Sequence, residues 1–258
     1  MDATPDYADC SAVTWGLGID LAALRSVPPL TDPALRGGHR EGGSAIRTVI
    51  GTVAVADDEP LVDAGRDLLC INCYFGAGWA GTSPTTWLRL GVVHRLIELA
   101  SGLPDGFGLA IFDGWRSPTT VRALYAHYYG PGSTLEPGFL ADPDAEDLDA
   151  TPPPPPPHGT GGAVDLTLSW RGTPLSLGTP FDEFTARAHL TALEEAPGGA
   201  DESPDALDRD LRRLLHAVMT DAGFAAYDQE WWHFSYGDHA WAAATGAAVL
   251  YGTTAPNR

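Results

Sequence analysis

Two short stretches of the chain hold residue types able to build a reactive centre. One is Pro157-His158-Gly159-Thr160-Gly161-Gly162-Ala163-Val164-Asp165; the other is Glu230-Trp231-Trp232-His233. Together they supply two imidazoles and two carboxylates. His158, Asp165 and His233 suit a mononuclear metal site, because a catalytic zinc takes three N/O donors and keeps one position open. Glu230 is left over, and a carboxylate beside a metal-bound water can act as its general base. The ligand set alone does not name the metal, since two His and one carboxylate also make the facial triad of non-haem Fe(II) oxygenases. Arg116 helps to decide. Its fixed charge and fork of donors suit an oxyanion at a scissile carbonyl, and it stands at an expected strand-to-helix turn, where functional groups are often presented. Hydrolysis needs a base beside the water and a cation at the oxyanion; oxygen chemistry does not need that pair.

The elements around these residues must then position them. His158 ends a proline run, which is stiff and cannot be helical. Gly159, Gly161 and Gly162 allow a sharp turn after it. From Ala163 to Leu168 the pattern alternates, with Ala163, Asp165 and Thr167 on one face of a strand and Val164, Leu166 and Leu168 on the other. Asp165 then projects from the strand while His158 folds back over the turn. Trp231 to Tyr236 is aromatic and reads as another strand. Glu230 lies three residues before His233, so a regular strand would put them on opposite faces. Glu230 reaches the site only if the chain turns or bulges at residues 230–231.

The motif His-x-x-Gly-x-Ala-x-Asp (His158, Gly161, Ala163, Asp165), followed by Glu-x-Trp-His (Glu230, Trp232, His233), resembles the zinc D-Ala-D-Ala dipeptidases, the VanX-type branch of the peptidase M15 D,D-peptidases. Phe112-Asp113-Gly114-Trp115-Arg116 resembles that family's Asp-Gly-aromatic-Arg motif, and the segment Gly178 to Phe184 also looks like that branch. Each motif is weak alone; four in order are specific. The resemblance spans residues 66–240. It implies a D,D-peptidase/Hedgehog-like fold and one Zn2+ per chain on His158, Asp165 and His233. It also implies Glu230 as base, Arg116 at the oxyanion, and D-alanyl-D-alanine, a cell-wall precursor, as the small dipeptide substrate. Hydrolysis of that dipeptide would serve glycopeptide resistance or wall turnover. A D,D-carboxypeptidase on peptidoglycan stem peptides, or a metal-binding recognition module without turnover, are the alternatives. The family usually carries Ser two residues before the first His. Here Pro156 stands there, so a hydroxyl contact is lost.

Composition limits the partners. A net charge of −19 argues against nucleic acid and anionic membrane, which would repel the chain. All 15 basic residues are Arg. The N-terminus has no basic segment followed by an apolar run, and no stretch approaches the ~20 apolar residues of a membrane span. A cytoplasmic location is the expectation. Cys10, Cys70 and Cys73 are an odd set without a second pair for a four-cysteine site, and are expected to be reduced thiols.

A chain of 258 residues fits one catalytic domain over 1–258, with 1–60 a loop-rich N-terminal extension, of which 1–44 is expected to pack on the outside of the core. Strands are expected at 45–56, 67–74 and 108–115. Helices are expected at 85–101, from Ser117-Pro118 to Tyr129, and from Ser203-Pro204 to Gly223. Residues 76–84 and 131–157 read as loops, the second with an acidic cluster and six prolines. His94 has no partner in a matching pattern, and His189 is a surrogate ligand at most; neither enters the ligand set. Asp182 is an acceptor for a ligand histidine or a contact for a substrate amine, or else a carboxylate at a helix N-terminus; Trp79 is a packing residue in preference to a wall of the substrate pocket. The fold class is α+β: an antiparallel sheet carrying a mononuclear zinc site, with helices packed on one side.

Overall fold

The computed structural model describes residues 7–24, 27, 29–30, 59–135, 139–140, 143 and 155–257. The strand expected at 45–56 lies outside them, as does most of the acidic and proline-rich stretch. The architecture is mixed α+β. Its main sheet contains β2 (Leu69–Cys70), β4 (Phe107–Asp113), β5 (Ala163–Trp170), β6 (Thr173–Pro174), β7 (Ala225–Tyr227) and β8 (Glu230–Ser235). The order is β2-β4-β5-β8-β7, with β6 beside β5. All pairs are antiparallel except β2–β4, which is parallel, so the expectation of a purely antiparallel sheet fails at that edge. A separate two-stranded sheet joins β1 (Leu61–Asp63) and β3 (Trp87–Arg89).

β5 is the central strand. Val164, Leu166 and Leu168 on one face are fully buried in the apolar core, and Asp165 and Thr167 on the other are equally buried. The helices are α1 (Cys73–Gly76), α2 (Leu90–Ser101), α3 (Pro118–Tyr128), α4 (Pro204–Asp221) and α5 (His239–Thr245). α2 packs on β4, and α4 on β5, β7 and β8. The starts of α3 and α4 follow their sequence signals. Ser117 Oγ accepts from Thr120 N–H, and Ser203 Oγ accepts from Ala206 N–H, each at 3.1 Å with Pro next in the chain.

Three expectations change. Trp87 and Leu88 do not open the helix at 85–101; they sit in β3, because β1 offers a pairing partner, with Val62 opposite Leu88. The stretch 67–74 is strand only at Leu69–Cys70, after which Asn72 adopts a left-handed conformation (φ 55°) and Cys73 opens α1. The thiol expectation fails at two positions: Cys10 and Cys73 form a disulfide with Cα atoms 6.3 Å apart, leaving Cys70 free. The N-terminal segment is therefore tied to α1, and Tyr7, Leu24 and Leu30 belong to the same core as β4 and β5 rather than lying outside it. Among the described residues no helix is long and apolar enough to cross a membrane.

Candidate active site

His158 lies in a short 3-10 turn, Pro157–Thr160, which runs straight into β5. Two glycines make that entry feasible. Gly161 has φ 74°, a left-handed value, and a Cβ on Gly162 would collide with the Tyr236 carbonyl oxygen. The His158 ring is fixed by a 2.7 Å hydrogen bond between Nδ1 and the Gly114 carbonyl. A carbonyl only accepts, so Nδ1 carries the proton and Nε2 presents a lone pair.

Asp165 and His233 face each other in register across β5 and β8, so their side chains share one face. Asp165 Oδ1 is 3.0 Å from His233 Nδ1 and 3.3 Å from His158 Nε2, and the two ring nitrogens are 3.2 Å apart. These three atoms form a triangle with nearly equal sides. A tetrahedral zinc with bonds of ~2.0–2.1 Å sets its donors about 3.3 Å apart, so the donor set fits such an ion in type and spacing. Among the described residues this is the group of His, Cys, Asp and Glu able to hold a metal. His94 is exposed, and neither it nor His189 joins the cluster.

Glu230 arrives through a bulge. Ala226 pairs with Phe234, yet the next residue, Tyr227, pairs with Glu230, so residues 231–233 are extra on β8. That irregularity turns Glu230 onto the His233 side, with Oε2 3.9 Å from His233 Nδ1. The carboxyl is buried and its Oε1 has no hydrogen-bond partner. Burial, with the nearby Asp165 and Asp182, pushes its pKa well above the usual carboxylate range.

Arg116 sits just past β4. Its Nε donates to Asp113 Oδ2 at 2.7 Å and its Nη2 to Asp165 Oδ2 at 2.5 Å, while the guanidinium lies 4.8 Å from the Tyr74 ring centre. One oxygen of Asp165 is thus held by Arg116 and the other is turned toward the imidazoles. Burial alone would raise the Asp165 pKa, but His158 and Arg116 outweigh it and hold this carboxyl well below its ordinary value. Burial lowers the His158 pKa, and Arg116 adds to that shift.

Asp182 is buried and accepts a 2.7 Å hydrogen bond from the Tyr74 hydroxyl rather than from a ligand histidine. Burial raises it to about 8 despite Arg116 and that bond. Trp79 donates to Tyr7 at 2.6 Å and packs edge-on to His127, a packing role as expected. Sequence reasoning assigned no role to Tyr74, Asp113, Gly114 or Ser235, whose Oγ lies 3.4 Å from His233 Nε2. Asp113 and Gly114 were within a quoted motif; Tyr74 and Ser235 carry no local signal. A cavity of about 620 Å³ opens over the cluster, lined among others by Arg116, His158, Asp182, Glu230 and His233.

The segment that carries this geometry is similar in sequence to known proteins. The family profile for peptidase M15, described as D-Ala-D-Ala dipeptidase, matches residues 96–249. A D-alanyl-D-alanine dipeptidase of Synechocystis is 29% identical over 215 residues, covering 71% of this chain and 87% of that protein. One from Escherichia coli is 40% identical over 131 residues, covering 50% and 55% respectively. One from Enterococcus faecium is 29% identical over 143 residues, covering 53% and 65%. Most of the sheet and every site residue named above except Tyr74 lie within the matched segment, and the chain belongs to the D-Ala-D-Ala dipeptidase family, peptidase M15, whose members are hydrolases of the metallopeptidase class.

Proposed function

We propose that this enzyme hydrolyses D-alanyl-D-alanine to two D-alanines, holding one zinc ion on His158, Asp165 and His233. The observation that carries the reading is Glu230: a buried carboxyl with an unpaired oxygen, brought beside the donor triangle by a bulge. A recognition module without turnover has no use for it. Bound zinc supplies a Lewis acid and a water whose pKa is near 7. Glu230 takes the proton of the attacking water and passes it to the leaving amine. Arg116 places positive charge beside the carbonyl oxygen as that oxygen becomes negative. Gly114 and Ser235 hold the two imidazoles in place. Asp182, free of the ligand histidines, receives the substrate ammonium. Residues 1–258 act as one catalytic domain, a reading supported by the shared core of Tyr7, Leu30 and the sheet. The substrate places the reaction in cell-wall precursor metabolism.

The test is metal analysis of dialysed protein together with amine release from D-Ala-D-Ala, L-Ala-L-Ala and a stem pentapeptide. One zinc per chain and cleavage of the D,D-dipeptide alone is the expected result. Cleavage of the pentapeptide but not the dipeptide makes the enzyme a D,D-carboxypeptidase. Bound zinc without cleavage favours a recognition module, and bound iron with oxygen uptake sinks the hydrolase mechanism.

A further inference from the structure

The turn that presents His158 is rich in glycine, and its backbone is held from outside. Gly159, Gly161 and Gly162 give the segment little stiffness of its own. Its carbonyls need donors, and from 158 to 162 each receives one from elsewhere in the chain. His158 O accepts from Arg116 N–H at 3.3 Å, Gly159 O from Thr254 N–H at 3.1 Å, Gly161 O from Arg89 N–H at 3.0 Å and Gly162 O from Tyr236 N–H at 3.0 Å. Thr160 O accepts from Arg89 Nε at 2.7 Å. Arg89 and Thr254 thus serve the three carbonyls at the middle of the turn.

Thr254 belongs to the stretch 250–257, which follows the segment matched to the family profile. This tail is anchored. Tyr251 is fully buried; its N–H and that of Leu250 donate to Gly237 O at 2.9 and 2.7 Å, and its hydroxyl donates to Glu59 Oε2. Gly252 O accepts from Arg89 Nη2 at 3.0 Å, and Arg89 Nη1 donates to the Glu59 carbonyl. The buried Arg89 fork therefore joins backbone from separate segments, one of them the His158 turn. The Thr254 carbonyl accepts from Trp115 Nε1 at 2.8 Å. Trp115 stands next to Gly114, whose carbonyl fixes His158 Nδ1. Thr254 thus brackets the His158–Gly114 bond: its N–H binds the residue after His158, and its carbonyl binds the residue after Gly114.

We infer that residues 250–257 are a strap that positions His158, with Thr254 and Arg89 as its positioning residues. This rests on the reading of His158 as a metal ligand. The three donors are not placed alike. Asp165 and His233 are fixed by the β5–β8 register, whereas His158 comes from a 3-10 turn outside the sheet. The donor that the sheet does not place is the one the strap holds. Without these bonds the turn can shift against Gly114, and His158 Nε2 leaves its 3.2 and 3.3 Å spacing to the other two donor atoms.

The experiment compares wild type with a chain ending at Gly252 and with Thr254→Pro. Both keep the buried Tyr251; the first loses both Thr254 bonds and the second the N–H donor. Arg89→Lys keeps the charge without the fork. The measurements are hydrogen exchange of the zinc-free proteins, zinc Kd by chelator competition, and kcat and KM for D-Ala-D-Ala. Amides of residues 158–162 should exchange at least about tenfold faster in the variants, with α2 amides as in wild type. Zinc Kd should rise about 10–100-fold, the range for groups that orient a metal ligand, and at saturating zinc the loss should fall on kcat. Zinc affinity equal to wild type in the two tail variants overturns the inference, as does a change confined to KM. Equal loosening of α2 would make the tail a general stabiliser and also overturn it. A wild type that neither holds zinc nor turns over the dipeptide, but whose turn alone loosens without Thr254, would sink the dipeptidase reading and leave the strap standing.

Discussion

Replacing Glu230 with Gln separates the base from the ligands. The variant keeps the side chain's shape and removes its ability to accept a proton. A positioned general base contributes about 10²–10⁴-fold, so turnover of D-Ala-D-Ala should fall by that factor while the metal content stays the same. Stability should move the other way. In the metal-free protein Glu230 is buried, its Oε1 is unpaired, and burial together with Asp165 and Asp182 raises its pKa. The unfolded chain releases this proton near the ordinary value of 4.5. Above that pH the folded state binds more protons than the unfolded one, so stability declines as pH rises. Glutamine does not titrate, so the metal-free variant should gain on wild type by about 1.4 kcal/mol per pH unit above the ordinary value of 4.5 until the raised folded pKa is reached. The assays are elemental analysis after dialysis, amine release, and thermal unfolding with a chelator at pH 5 and pH 8. The gap in Tm between variant and wild type should widen at the higher pH. Loss of metal would make Glu230 a ligand, retained turnover would remove it as base, and a gap that does not widen would refute the burial argument.

Two further predictions concern other parts of the molecule. Arg116→Ala should lower kcat about 10²–10³-fold, the effect of removing an oxyanion donor, and should also destabilise the fold by about 3–5 kcal/mol because Asp113 and Asp165 lose a buried counter-charge; a change confined to KM would instead make Arg116 a ground-state clamp. His216 on α4 is buried with an unpaired Nδ1, and burial holds its imidazole down to about 4. Since the unfolded residue titrates near 6.5, the stability it contributes is present above 6.5 and lost as pH falls toward 4, by about 3 kcal/mol. Denaturant midpoints at pH 7 and pH 4.5 should show a steeper loss in wild type than in His216→Leu, and equal losses would contradict this.

What could be read from the sequence depended on how local the information was. The α4 start is written in Ser203 and Pro204, and the β5 faces in an alternation of single residues; both appear in the structure as expected. His158, Asp165, His233, Glu230 and Arg116 were legible because each belongs to a short motif, and the structure brings all five together. The strand at Trp87–Arg89 was not, because its reason lies in the distant partner Leu61–Asp63, while Trp87 and Leu88 also satisfy a helical spacing. The Cys10–Cys73 bond was hidden in the same way: the sequence offers Cys70 as the near neighbour, but the left-handed turn at Asn72 separates the two, and Cys73 meets a residue 63 positions away. Tyr74 follows that cysteine and touches both Arg116 and Asp182 only through the tertiary fold.

The electrostatics of the site follow from an imbalance in its charges. Asp113, Asp165, Asp182 and Glu230 converge around one guanidinium, and Arg116 hydrogen-bonds only the first two. The consequences differ by carboxyl. Asp165, held by Arg116 on one oxygen and facing two imidazoles with the other, is the one whose proton is released most readily. Glu230 and Asp182, which Arg116 influences without bonding, are pushed upward by burial, and Asp165 adds to both shifts. The same arrangement therefore sets four similar groups apart: Asp165 is held ionised in a fixed orientation, while burial pushes Glu230, Asp182 and Asp113 upward, Asp113 even though it bonds Arg116. None of these differences can be read from residue type, since three of the four are aspartates. They arise because Arg116 is delivered at the end of β4, one strand away from Asp165, while the β8 bulge brings Glu230 in from the other side.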